Sequence, residues 1–214
     1  MRPGYASPTG SALNVPNVIT AARLVVVLVV LGLIRYADGL WLTAAGLFVL
    51  ASVADIVDGR LARRLGQVTT LGKILDPLVD KVAICGTLIL LSDKQVLYAG
   101  SAHHEAVALD SGVTAWMVFA IVLRELYVSG LRTLMAERRQ GFASSVAGKA
   151  KMVLQCCAVS AALLSLSPWV GQRFPAFLIF RDTLLWVAVV VTVYSGASYT
   201  LGARRALSAP TPAE

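Results

Sequence analysis

Six stretches of mostly apolar residues, each about twenty long, alternate along this chain with short polar connectors. They cover residues 15–34, 41–65, 72–91, 113–136, 146–166 and 176–199. Each is long enough to cross the roughly 30 Å hydrocarbon core of a bilayer as a helix. The pattern predicts an all-α integral membrane protein with six transmembrane helices. One six-helix domain, 15–205, is expected between a flexible amino-terminal segment, 1–14, and a flexible carboxy-terminal tail, 206–214.

Composition supports that class. With 57 % hydrophobic and 14 % charged residues among 214, and a mean hydropathy of +0.73, the chain is too apolar for an ordinary soluble domain. Residues 1–10 are rich in Gly, Pro and Ser and lack the layout of a cleavable signal peptide, so the first span is expected to be its own insertion signal. Cys85, Cys156 and Cys157 fall inside expected spans without metal-ligand spacing, which reads as small core residues and no disulfide.

Lys and Arg concentrate in alternate connectors. Arg60, Arg63, Arg64 and Lys73 lie around the junction of the second and third spans, Arg138, Arg139, Lys149 and Lys151 around that of the fourth and fifth, and Arg204 and Arg205 after the sixth. The other connectors offer Arg35, Lys94 and Arg173, with Arg181 at the edge of the last span. Retention of basic loops in the cytoplasm places both termini there. The net charge of +7 could suggest nucleic acid, but the cations are scattered over helix ends and no aromatic stacking platform accompanies them, so no nucleic-acid partner is expected. Membrane lipids and anionic substrates explain the charge better.

Four carboxylates stand where hydrocarbon tolerates few. Asp55 and Asp58 close the second span and Asp76 and Asp80 open the third, each pair three or four residues apart on one helical face. One such residue could pair with a lysine; four at these spacings call for cations between them. Oxygen donors without histidine or thiolate neighbours favour Mg²⁺ or Mn²⁺ over zinc, and two ions would suit a diphosphate substrate. Gly59, Ala62 and Gly72 form a small-residue strip beside the acids, which admits either a bulky ligand or close helix packing. Gly72 is expected to open the third helix, leaving Pro77 in its first turns.

Together these residues spell D-x-x-D-G-x-x-A-R followed by G-x-x-x-D-x-x-x-D, with Asp55, Asp58, Gly59, Ala62, Arg63, Gly72, Asp76 and Asp80 at its eight defining positions. The pattern resembles the signature of the CDP-alcohol phosphotransferases, membrane enzymes that make phospholipids from CDP-linked lipids. The resemblance implies that family's fold, a homodimer in the bacterial cytoplasmic membrane, and an active site open to the cytoplasm. It further implies two divalent ions on Asp55, Asp58, Asp76 and Asp80, with Asp80 also the general base. The CDP-lipid would rest on Asp55, Asp58, Gly59, Ala62, Arg63 and Gly72.

Two further stretches bear on the acceptor. The run from Asn14 through Pro16, Asn17 and Thr20 to Arg23, and the run Arg124-Glu125 to Arg132 followed by Gly148-Lys149-Ala150-Lys151, resemble the family members that use sn-glycerol 3-phosphate. Arg124, Arg132, Lys149 and Lys151 would supply converging cations for the acceptor's phosphate. Arg124 with Glu125 also reads as a structural pair, although neighbours on a helix point different ways, and the two lysines also read as snorkelling residues. Asn17, Thr20 and Arg23 are candidates for lipid or phosphate contact, or for helix entry. Ala54 and Met152 stand where the family commonly has a hydroxyl residue and threonine.

The expected reaction is transfer of the phosphatidyl group from CDP-diacylglycerol to sn-glycerol 3-phosphate with release of CMP. Inositol phosphate or phosphatidylglycerol are alternative acceptors within the same chemistry. Readings of other classes are an intramembrane prenyltransferase, which normally needs a longer chain, and a small cation or proton transporter, which would predict an internal repeat that is not seen. The His103-His104-Glu105 cluster falls in an outer connector.

Overall fold

The computed structural model describes residues 15–65, 70–98, 107–137 and 146–208. Eight α-helices and two short strands occur among them. The first helix, α1 (Val15–Tyr36), turns through Ala37 to Leu40 into α2 (Trp41–Leu65). Next come α3 (Thr70–Lys81), a π-helical segment (Val82–Gly86) and α4 (Thr87–Leu91). Lys81, Gly86 and Thr87 all keep right-handed helical dihedrals, so the three pieces run as one continuous helix. After a hairpin of β1 (Gln95–Tyr98) and β2 (Val107–Asp110) come α5 (Ala115–Glu137), α6 (Val146–Ser165), the single turn α7 (Pro168–Gly171) and α8 (Pro175–Ser208).

Six long helical segments therefore stand where six apolar stretches were read. Two of them, Val18–Tyr36 and Pro175–Arg204, are by length and composition plain membrane-span candidates, with mean hydropathies of 2.4 and 2.0. The second and fifth carry shorter apolar runs, Trp41–Asp55 and Ala150–Ser165, because charged site residues occupy their remaining turns.

Three features depart from the expectation. The fold is not wholly α: Val96 and Leu109 turn inward from the hairpin while Gln95 and Asp110 face outward, the two-residue alternation of a half-buried strand pair. The third helix begins at Thr70 rather than Gly72, so Pro77 lies in its interior and removes one ladder hydrogen bond there. The last helix continues through Arg204 to Ser208, overrunning the start of the expected tail. Of the tails, 1–14 and 209–214 lie outside the described residues, as does His103-His104-Glu105.

Helix α6 packs on α8 and α2, α1 on α2 and α3, and α5 on α8. The core runs through Val30, Ile34, Trp41, Phe48, Leu88, Leu163 and Leu166. The outer surface is also apolar, with Trp116, Ile179, Trp186 and Val190 all more than half exposed. An apolar shell around an apolar core is the arrangement of a membrane protein, whose surrounding solvent is lipid. Cys85 and Cys156 are partly buried as free thiols; Cys157, read as a core residue, instead faces outward, where a small apolar thiol suits lipid.

One end of the bundle is closed by a polar lock. Buried Arg181, at the start of α8, donates to the Asp110 carbonyl (2.6 Å), to Ser165 Oγ (3.0 Å) and to Asp182 Oδ1 (2.9 Å). Gly112, at a φ of +69°, lets the guanidinium pass: a Cβ there would stand 2.6 Å from Arg181 Nε. At the same end Lys94 pairs with Asp38 (3.0 Å) and lies over the Trp41 ring, and the Tyr98 hydroxyl donates to the Leu166 carbonyl (2.7 Å).

Candidate active site

The other end of the bundle gathers the chemistry. Antiparallel neighbours bring the start of α1, the end of α2, the start of α3, the end of α5, the start of α6 and the end of α8 to one level, and the candidate site residues lie on those six ends.

Helix α1 organises the acids. Arg23 is buried and donates to both Asp55 of α2 and Asp80 of α3, so a single guanidinium spans carboxylates from two helices. One turn earlier Thr20, also buried, donates to Asp76 Oδ1 at 2.8 Å. Thr20 and Arg23 are three residues apart and share a face, as do Asp76 and Asp80 at four, so two short helical repeats meet in register. Residues read as lipid or phosphate contacts thus hold three of the four signature aspartates together.

The side chains of Asp58, Gly59, Ala62, Arg63, Gly72, Asn17 and Lys149 lie outside the described set, although each residue falls within a helix. Among the described residues no three Asp, Glu, His or Cys side chains converge to hold a metal ion as they stand. The donor chemistry still suits one. Asp55, Asp76 and Asp80 offer hard carboxylate oxygens that here are satisfied by a guanidinium and a hydroxyl, and a divalent cation would meet the same need.

Beside the acids lies a basic cavity of about 190 Å³. Asp80 and Lys81 form one wall, Arg124, Glu125 and Arg132 of α5 a second, and Gly148, Lys151 and Gln155 of α6 a third. Asp80 also lines the narrow cleft that holds Arg23, Ser52 and Asp55. It is therefore the carboxylate at the seam between the acidic and basic halves. Arg124, Arg132 and Lys151 line this one cavity.

Apart from Arg124 with its neighbour Glu125, the cavity's cations are held by partners distant in sequence. Lys151, buried on α6, pairs with Glu125. Arg124 donates to the same Glu125 at 3.3 Å and to Ser195 Oγ of α8 at 2.7 Å. The Arg124-Glu125 contact forms although the two are sequence neighbours. Arg132 donates to the Tyr199 hydroxyl at 2.5 Å. The Tyr199 ring also faces both arginines, with guanidinium carbons 4.9 Å (Arg132) and 5.8 Å (Arg124) from its centroid. Gln155 donates to Thr192 Oγ1 at 3.0 Å. Thr192, Ser195 and Tyr199 fall three and four residues apart, a periodicity that would have marked one polar face on an otherwise apolar helix.

The chain matches the family described as CDP-alcohol phosphatidyltransferase over residues 13–194. A protein of Bacillus subtilis (strain 168) is 38 % identical over 200 residues, covering 87 % of this chain and 93 % of its own. A Rickettsia typhi protein is 33 % identical over 189 residues, covering 87 % and 94 %, and an Escherichia coli (strain K12) protein is 32 % identical over 195, covering 89 % and 95 %. All three are named CDP-diacylglycerol--glycerol-3-phosphate 3-phosphatidyltransferase.

Proposed function

Because the chain belongs to the CDP-alcohol phosphatidyltransferase family, we propose that it transfers the phosphatidyl group of CDP-diacylglycerol to sn-glycerol 3-phosphate, releasing CMP. Members of this family use a divalent metal. Two ions, Mg²⁺ or Mn²⁺, are proposed here, held by Asp55, Asp58, Asp76 and Asp80. When bound they would neutralise the diphosphate and stabilise CMP as leaving group.

The observation that carries the reading is the position of Asp80, which lines both the acidic cleft and the basic cavity. A glycerol 3-phosphate whose phosphate rests on Arg124, Arg132 and Lys151, with Lys149 nearby in sequence, would present its free primary hydroxyl toward Asp80. Asp80 takes the hydroxyl proton as that oxygen bonds to the phosphorus bearing the diacylglycerol. The bond from that phosphorus to the CMP oxygen breaks, and no covalent enzyme intermediate is needed. Gly59, Ala62, Arg63 and Gly72 are proposed to cradle the nucleotide. Thr20 and Arg23 fix the carboxylates against which it binds, and Asn17 belongs to the same helix start.

Six transmembrane spans within one domain, 15–205, are proposed from the six long helices and the apolar outer shell. The site, at the basic end, is proposed to face the cytoplasm at a bacterial inner membrane, which the retention of basic segments on that side supports. A homodimer is also proposed. The deciding experiment measures CMP release by purified protein with CDP-diacylglycerol and Mg²⁺ or Mn²⁺, offering glycerol 3-phosphate, inositol 1-phosphate, inositol and phosphatidylglycerol in turn. Release with glycerol 3-phosphate alone is expected. Release with another acceptor would move the specificity, and release with none would overturn the reaction.

A further inference from the structure

We propose that Tyr199 and Ser195 of α8 are positioning residues that aim Arg132 and Arg124 at the acceptor's phosphate. Acceptor affinity is then set by a helix that bears no aspartate of the site. The proposal rests on the acceptor-phosphate reading of the basic cavity.

Arg132 is exposed at the cavity rim, and an arginine there has several rotamers open to it. Tyr199 restricts that freedom in two ways. Its hydroxyl accepts from Arg132 Nη2 at 2.5 Å, and its ring face lies 4.9 Å below the guanidinium carbon. Tyr199 itself is only 3 % exposed, so the platform is fixed by packing before any ligand arrives.

Arg124 is held from the same helix. Ser195 is fully buried and accepts from Arg124 Nη2 at 2.7 Å, while the Tyr199 ring centroid lies 5.8 Å from the same guanidinium carbon. Between them, Gly196 leaves room for the arginine's stem: a Cβ there would come 3.1 Å from Arg124 Cγ. Arg124 Nε is buried without a hydrogen-bond partner, in a side chain that lines the cavity. A phosphate oxygen would satisfy such a donor. Two guanidinium groups beside one ring would repel each other if unrestrained; the ring and the two hydroxyls restrain both, which suits a multiply charged anion. The family match ends at residue 194, immediately before this group.

The test is steady-state kinetics on the full-length protein in detergent micelles, with Tyr199→Phe, Ser195→Ala and Arg132→Ala, the double variant Tyr199→Phe/Arg132→Ala, and thermal midpoints for each. Tyr199→Phe keeps the ring and removes the hydroxyl that accepts the charged hydrogen bond from Arg132. It is expected to raise the KM for sn-glycerol 3-phosphate about tenfold. Its kcat and its KM for CDP-diacylglycerol should stay within about twofold. Added to Arg132→Ala it should change the acceptor KM by less than about twofold, since the partner is already gone.

Ser195→Ala is expected to raise the acceptor KM in the same way through Arg124. If Tyr199→Phe leaves the acceptor KM unchanged while Arg132→Ala raises it, the positioning role is overturned and the reaction stands. If Arg132→Ala also leaves it unchanged, the acceptor-phosphate site itself is overturned. A Tyr199→Phe variant that loses kcat and both KM values together, with a lowered midpoint, would assign the residue to general stability and overturn the proposal.

Discussion

Asp80 and Arg23 show how little at this site can be understood one residue at a time. Asp80, the proposed base, shares the single Arg23 guanidinium with Asp55, so a change at any one of the three is felt by the other two. Replacing Asp80 by Asn keeps shape and hydrogen bonding but removes the base. Turnover is expected to fall by about 10²–10⁴-fold, the usual contribution of a positioned base, while CDP-lipid binding persists. CMP release and equilibrium binding of the CDP-lipid measure the two separately, and undiminished release would refute the role. Arg23→Leu is expected to strand two carboxylates and lower stability by about 2 kcal/mol. That is below the 3–5 typical of a fully buried pair, since Asp80's side chain is 35 % exposed. The thermal midpoint in EDTA should drop and then recover when Mg²⁺ or Mn²⁺ is added, because an ion would neutralise the same oxygens. A midpoint indifferent to the ions would mean that Arg23 and the metal do not compete for one place.

Among the elements, α8 does two jobs at its two ends, and they can be separated experimentally. Arg181 fastens its first turns to the hairpin and to α6, far from the basic cavity. Arg181→Met removes those hydrogen bonds while leaving Asp110 and Asp182, both more than half exposed, free to be hydrated. A loss of about 2 kcal/mol in thermal unfolding is expected with kcat kept, whereas a loss of activity with an unchanged midpoint would contradict the division. What sequence could and could not disclose follows from the range of each contact. The aspartate pairs were legible because three- and four-residue spacings fix a helical face locally, and the helices were legible from apolar length. The partners of Arg124 and Arg132 lie 71 and 67 residues away on α8, where no spacing rule reaches. The hairpin was missed because its strands are four residues each, too short to stand out inside a connector. Thr20 and Arg23 were singled out but assigned to lipid or phosphate, since only the packing of α1 on α2 and α3 turns them toward the acids.

At the scale of the whole molecule the two ends differ in kind. One is stabilised by Arg181, Lys94 and Tyr98 and holds few cations; the other carries Arg23, Arg124, Arg132 and Lys151 around the aspartates. In the proposed reaction a water-soluble acceptor and CMP reach the second end, and basic segments favour the cytoplasmic side, so substrate access and charge argue for the same orientation. Single cysteines in a background lacking Cys85, Cys156 and Cys157 test it. Ser101→Cys lies in the connector between the two strands and Ser208→Cys ends α8. In intact cells a membrane-impermeant maleimide is expected to label position 101 and to reach position 208 only after the membrane is opened. The reverse pattern would put the aspartates outside, where neither CDP-lipid nor a phosphorylated acceptor is made. Labelling of both positions in intact cells would mean an even number of crossings between them, contrary to α5, α6 and α8 each spanning once, and would overturn the six-span arrangement while leaving the site geometry intact.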